Sequence, residues 1–164
     1  MSLDRPTCSR RAFLAGAAAA ASSLAVTRLV AQPAAKAKPS AAIRDMVVYK
    51  DPNCGCCTDW VKHVRAAGFV VTVHDMTDMV TVKRNLGVPA ALESCHTARI
   101  GNYSIEGHVP ADLITRLLKE QPAGFGLAVP GMPMGSPGME GDRKDRYDVL
   151  LFDRAGKTRV YASR

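Results

Sequence analysis

Cys54-Gly55-Cys56-Cys57 places three thiols within four residues. An ionised thiol attacks disulfides and binds soft metals, and both chemistries suit this spacing. Cys54 and Cys57 stand at the Cys-X-X-Cys separation of a redox dithiol. Cys56 gives such a pair little, because a third thiol inside the loop can attack its disulfide or be trapped beside it. Three thiolates together suit a soft cation, Cu(I) above all. Adjacent side chains on a helix diverge by roughly 100°, so Cys56 and Cys57 are better placed to bridge several ions than to chelate one. The residues point to a small polynuclear thiolate site. A Cys54/Cys57 thiol–disulfide oxidoreductase is the second reading, and a structural disulfide beside a bystander thiol is the third.

Further donors lie downstream. Met132, Met134 and Met139 carry three thioethers within eight residues of a Pro/Gly backbone. They suit an adaptable apolar plug or, being soft and without a proton to lose, additional Cu(I) ligands. His108, on a loop before a helix, is the leading histidine candidate. His96 ranks lower, since side chains of neighbouring strand residues face opposite ways. His63, on an exposed helix face, and His74, at a strand end, rank lower still. Trp60 is expected on the flank of the site. No carboxylate pair has the arrangement of a general acid and base.

The Cys run requires a strand before it and a helix after it. Met46 to Tyr49 reads as a short buried strand, and Asp51-Pro52-Asn53 as a turn. A helix is predicted from Thr58 to Ala67, stopped at Gly68, with Cys57 tucked beneath it. Cys54 falls near its N-terminus, where free N–H groups and the helix dipole favour a thiolate. Phe69 to His74 reads as a strand. Asp75 to Asn85 reads as a second helix with Met79, Val82 and Leu86 in its stripe, which implies a βαβ unit with parallel strands. Two short strands, His96 to Ile100 and Tyr103 to Glu106, flank the Gly101-Asn102 turn. A helix follows over 110–119 with Leu113, Leu117 and Leu118 inward. Tyr147 to Phe152 and Thr158 to Ala162 form a last hairpin. The fold class is α/β, thioredoxin-like, with a central mixed sheet, flanking helices and an added C-terminal β-hairpin. The Met/Pro/Gly-rich stretch 121–146 is long for a loop without structure of its own, which marks it for function.

Residues 1–31 read as an address. Ser9-Arg10-Arg11-Ala12-Phe13-Leu14 is a twin-arginine signal ahead of an Ala-rich apolar run. Cleavage near Ala31 is expected to leave a periplasmic protein with no stable membrane anchor. Residues 32–42 form a tether expected to be disordered, and 43–164 one domain. Removing the signal, with Arg5, Arg10, Arg11 and Arg28 against Asp4, lowers the net charge from +7 by 3 to +4. That charge is spread without a basic stripe, so nucleic-acid binding is not expected. Cys8 leaves with the signal, and Cys54, Cys56, Cys57 and Cys95 remain, an even number that also permits two disulfides. Zinc or an iron–sulfur cluster also suits four cysteines but requires no Met loop.

Asp51-Pro52-Asn53-Cys54-Gly55-Cys56-Cys57, Ser94-Cys95-His96-Thr97, Glu106-Gly107-His108-Val109-Pro110 and the stretch from Val129 to Glu140 occur in this order. Together they resemble the CopG-like family of periplasmic copper-resistance proteins, long catalogued as a domain of unknown function, over about Met46 to Ala162. The resemblance implies a thioredoxin-like fold and a cysteine-bridged copper cluster held by Cys54, Cys56, Cys57 and Cys95, with a role in copper redox handling. Such a fold brings the segment after the second helix against the Cys turn, where Cys95 completes a four-sulfur set. A disulfide to Cys56 or a plain buried thiol is the alternative for Cys95. The expected cargo is several Cu(I) ions per chain. The expected partner is a periplasmic copper carrier or an electron-transfer protein, with the Met loop as docking surface if the protein delivers copper.

Overall fold

The computed structural model describes residues 44–164. The twin-arginine stretch 1–31 and the tether 32–42 lie outside the described residues. Strand β1 (Asp45–Lys50) leads through a turn into helix α1 (Gly55–Ala66), and β2 (Val70–Asp75) returns parallel to β1. Helix α2 (Met79–Asn85) and a 3₁₀ turn (Ala90–Leu92) lead to β3 (His96–Ile100) and β4 (Tyr103–Glu106), then α3 (Ala111–Glu120), β5 (Gly126–Ala128), β6 (Asp148–Phe152) and β7 (Thr158–Ser163). One seven-stranded mixed sheet results, in the order β2-β1-β3-β4-β5-β6-β7. β3 pairs antiparallel with β1 and β4, β4 parallel with β5, and β5, β6 and β7 pair antiparallel in turn.

The alternation of strand side chains sorts the chemistry onto two faces. Val48, Ala98 and Ile105 share a register row, and they pack with Trp60 and Val64 of α1 and Leu113, Ile114 and Leu117 of α3. This is the main core; each such large side chain contributes about 1.5–3 kcal/mol through burial. Thr97 and Glu106 are paired one row along, and therefore face the other way, toward α2. Lys83 of α2 reaches both of them.

Three differences from the sequence expectation exceed a single residue at an element's end. Helix α1 begins at Gly55 rather than Thr58, because Cys54 is its N-cap: the Cys57 N–H donates to Cys54 Sγ at 3.3 Å. Helix α2 begins at Met79, not Asp75, because Asp75 pairs with Lys50 in the sheet and Asp78 caps α2 by accepting from the Thr81 N–H. The 121–146 stretch, read as one loop, contains β5, whose Gly126 admits a backbone approach that a side chain blocks: a Cβ there meets Phe152 at 2.7 Å. Among the described residues no helix is long and apolar enough to cross a membrane.

Candidate metal centre

The turn ahead of Cys54 is built by hydrogen bonding. Asp51 accepts from the Asn53 N–H through its side chain at 2.7 Å and from the Cys54 N–H through its carbonyl at 3.0 Å. Lys50 Nζ, buried against the same turn, donates to the Asp51 carbonyl and pairs with Asp75 at 3.0 Å. Cys54 is thereby held at the mouth of α1, Cys56 and Cys57 follow in its first turn, and Cys57 is fully buried. Cys54 and Cys57 are joined by a disulfide, while Cys56 and Cys95 are free and half-buried.

The sulfur atoms of Cys54, Cys56, Cys57 and Cys95 all lie within 4.8 Å of one another. Cys56 Sγ is 3.5 Å from Cys54 Sγ and 3.9 Å from Cys95 Sγ. Cys95 also belongs to a second set with His96 and His108, again within 4.8 Å. His108 is fully buried with Nε2 3.0 Å from Cys95 Sγ, and its Nδ1 lies 2.8 Å from the Pro137 carbonyl. A carbonyl only accepts, so Nδ1 carries the proton and Nε2 turns its lone pair to the sulfur. A backbone carbonyl fixing the tautomer of an imidazole in this way prepares it for a metal.

His96, ranked low from sequence, belongs to the same constellation. The strand rule does not separate it from Cys95, because β3 begins at His96 and Cys95 lies in the bend before it. Its ring is fully buried, 4.4 Å from the Trp60 ring and 5.0 Å from that of His108. Nδ1 lies 3.4 Å from Cys95 Sγ, whereas Nε2 has no hydrogen-bond partner among the described residues. A buried polar atom left unpaired costs about 1–3 kcal/mol. That cost, beside one further free thiol and a reducible disulfide, marks the place as built for something besides packing. Trp60 flanks the site as expected and donates Nε1–H to the Val109 carbonyl at 2.9 Å.

The 121–146 stretch comes back over this site. A Cβ built at Gly138 would stand 2.6 Å from the Cys56 carbonyl oxygen and 2.7 Å from the Trp60 nitrogen, so the loop backbone rests on the first turn of α1. Ser94 Oγ donates to the Gly131 carbonyl, and the Glu140 carboxylate accepts from the Gly138 N–H. Met139 follows Gly138 and is half-buried, as is Met134; Met132 is 53% exposed.

Burial pushes the Cys95 thiol up to about 12, assisted by the neighbouring Cys56. At neutral pH Cys95 is therefore a thiol, and a soft cation must displace its proton. Burial lowers His96 well below the ordinary imidazole value, and lowers His108 and His63 too. His63 is not on a bland exposed face: its Nε2 accepts from the Ala111 N–H at 3.1 Å and so caps α3 from α1. Three histidines are thus folded as neutral rings, while the unfolded chain takes up their protons below about 6.5. Stability of the metal-free protein is full above that value and falls as pH drops through the lower folded values, most for the fully buried His96 and less for His108 and His63, which solvent screens. Glu106, raised by burial, acts in the opposite sense. Urea unfolding at about pH 7.5 and about pH 5.5 is expected to show the loss, and His63→Gln to reduce it. An unchanged midpoint across that range contradicts the neutral assignment.

A thiolate-rich donor set with neutral imidazoles fits a soft cation such as Cu(I). With the disulfide intact, Cys54 and Cys57 carry no thiolate. Two electrons from a thiol reductant release them, and all four sulfurs are then available.

Similarity to known proteins bears on the same residues. A family described as "Protein of unknown function, DUF411" matches residues 92–139, the span from the Cys95 segment through the Met loop. No curated protein matches. Two solved structures are similar. Copper resistance protein copG, form 1, is 50% identical with a TM-score of 0.70, over 74% of this chain and 98% of that one. Form 2 is 51% identical with a TM-score of 0.69, over 73% of this chain and 97% of that one.

Proposed function

Because this chain belongs to the CopG-like family of copper resistance proteins, we propose that it binds copper, as Cu(I), in a polynuclear site bridged by Cys54, Cys56, Cys57 and Cys95. The observation that carries this reading is the gathering of those four sulfurs within 4.8 Å of one another. Cys56 and Cys57 are adjacent on α1 and diverge by roughly 100°, which favours several soft ions sharing bridging thiolates over one ion chelated by all four. His108 adds a nitrogen donor on the Cys95 side, and Met134 or Met139 a thioether from the covering loop. The frame reads as thioredoxin-like: β1-α1-β2, then the antiparallel β3–β4 pair and α3, with β5 and a C-terminal β6–β7 hairpin extending the sheet. Export by the twin-arginine route to the periplasm, with loss of 1–31, completes the reading. There the protein serves copper resistance by holding Cu(I) and, through sulfurs that share charge among ions, by exchanging electrons between Cu(I) and Cu(II) with a copper carrier or an electron-transfer partner.

The chain's own part in this is positional. Cys54 caps α1, the Glu106 carboxylate accepts from the Ser94 N–H just before Cys95, and Pro137 orients His108. The loop covers the open side and limits water at the thiols.

The test is copper content and free-thiol count on anaerobically reduced protein titrated with Cu(I). Several coppers per chain, thiols shielded from alkylation, and loss of both on replacing all four cysteines by Ser are expected. Undiminished copper in that variant contradicts the reading.

The Cys54–Cys57 disulfide favours one other function, thiol–disulfide oxidoreductase, with half-buried Cys54 as the attacking sulfur and buried Cys57 as its partner. That reading expects turnover on reduced protein substrates without copper and a measurable potential for the pair.

A further inference from the structure

Cys56 is the middle sulfur. It lies 3.5 Å from Cys54 Sγ, one end of the Cys54–Cys57 disulfide, and 3.9 Å from Cys95 Sγ, the other free thiol. Exchange requires a thiol in contact with a disulfide sulfur and a further thiol in contact with the new bond. Both are present, on a frame that fixes each: Cys54 as the cap of α1, Cys56 in its first turn, and Cys95 behind the buried carboxylate of Glu106. A redox dithiol has no need of the last two thiols.

We propose that the four sulfurs form an internal disulfide relay, in which the bond migrates from Cys54–Cys57 by way of Cys56 to Cys56–Cys95. In the first step the Cys56 thiolate attacks Cys54 Sγ. The Cys54–Cys56 bond forms, the Cys54–Cys57 bond breaks, and Cys57 leaves with the electron pair and takes the proton that Cys56 gave up. In the second step Cys95 Sγ attacks Cys56 Sγ and gives up its thiol proton as it does so. The Cys56–Cys95 bond forms, and Cys54 leaves with the electron pair and takes the proton from Cys95. One disulfide and two thiols stand on each side, so no outside oxidant or reductant is consumed. The migration takes the bond off Cys57, which is fully buried and closed to an outside thiol, and sets it between two half-buried sulfurs. An external dithiol reductant then meets the bond there and frees all four sulfurs. The relay rests on the copper reading for its purpose, as the step that opens the site to its cargo, but not for its chemistry.

The relay is tested without copper, on the full chain carrying Cys8→Ser so that the four site cysteines are the only ones. Metal-free protein holding one disulfide is kept anaerobic, quenched in acid at intervals, alkylated and mapped by peptide mass spectrometry. Both Cys54–Cys57 and Cys56–Cys95 are expected, at constant free thiol. Cys95→Ser removes the second isomer and leaves Cys54–Cys57 with Cys54–Cys56. Cys56→Ser locks the bond at Cys54–Cys57 with Cys95 fully alkylated. A bond found only at Cys54–Cys57 in the parent chain, with Cys56 and Cys95 always alkylated, overturns the relay. A separate Cu(I) titration of the fully reduced chain keeps the two ideas apart. Copper binding without isomers sinks the relay alone, and isomers without copper binding sink the copper reading alone.

Discussion

Lys83→Met is expected to destabilise the protein by about 3–5 kcal/mol, the usual cost of stripping one partner from a buried ion pair. Lys83 is 4% exposed and Glu106 fully buried, so the variant leaves a carboxylate without its counter-charge away from solvent. Glu106 also accepts from the Thr97 hydroxyl and the Ser94 N–H. The pair therefore joins α2 to β3 and β4 and fixes the segment that presents Cys95. In the variant, the Glu106 carboxyl, already raised by burial, rises further. A group raised in the folded state contributes stability at low pH that is lost as pH rises through its folded value. The deficit of Lys83→Met is accordingly smaller at about pH 5 than at about pH 8. Adding Glu106→Gln, which keeps an acceptor for Ser94 without the charge, is expected to restore most of the stability. Denaturant melts of the three proteins at both pH values check this, with the alkylation rate of Cys95 as the readout of its position. Equal stability of Lys83→Met and the parent at the higher pH contradicts the buried-pair account.

Gly138→Ala is the second large effect, and Gly131→Ala is its control. Both glycines have left-handed backbones, with φ +85° and +70°. Each alanine therefore costs roughly 1–2 kcal/mol in conformation. At Gly131 nothing lies within 4 Å of a new Cβ, whereas at Gly138 it meets the Cys56 carbonyl and the Trp60 nitrogen, both backbone. Backbone cannot swing aside as a side chain can, so the loop must lift. The additional cost is expected at about 1–3 kcal/mol, that of overpacking. Lifting draws the Pro137 carbonyl away from His108 Nδ1 and uncovers the thiols. Thermal melts are expected to separate the two variants by that amount, with faster alkylation of Cys56 in Gly138→Ala alone. Indistinguishable variants mean that the loop does not bear on the Cys turn.

Much of the frame was legible in the chain. β3 and β4 match the expected strands residue for residue, because β-branched and apolar residues flank a Gly-Asn turn. The βαβ start and the inward Leu113 and Leu117 of α3 follow equally from periodicity. β5 was not legible: Gly126-Leu127-Ala128 is too short to alternate, and it is a strand only because β4 and β6 lie on either side. At the site, Cys54, Cys56 and Cys57 are legible by type and spacing, whereas Cys95, distant in sequence, enters through the family resemblance and the expected fold. His96 is not legible, because strand alternation turns it away from Cys95 only if both stand in the strand, and Cys95 lies in the bend before it. Lys83 and Glu106 look like ordinary surface charges in one dimension. Only the packing of α2 on the sheet buries them against each other, and a lysine beside the Val82 of an apolar stripe was the available hint.

These features converge on one chemistry. A cap, a buried ion pair and a covering loop hold four sulfurs and two neutral imidazoles together, and the family to which the chain belongs handles copper resistance. X-ray absorption at the copper edge, on reduced protein loaded with Cu(I), tests the central claim most directly. A first shell dominated by sulfur, together with a copper–copper shell that vanishes in Cys95→Ser or Cys56→Ser, is the predicted result. An isolated copper with a nitrogen and oxygen shell, unaffected by those substitutions, contradicts the account.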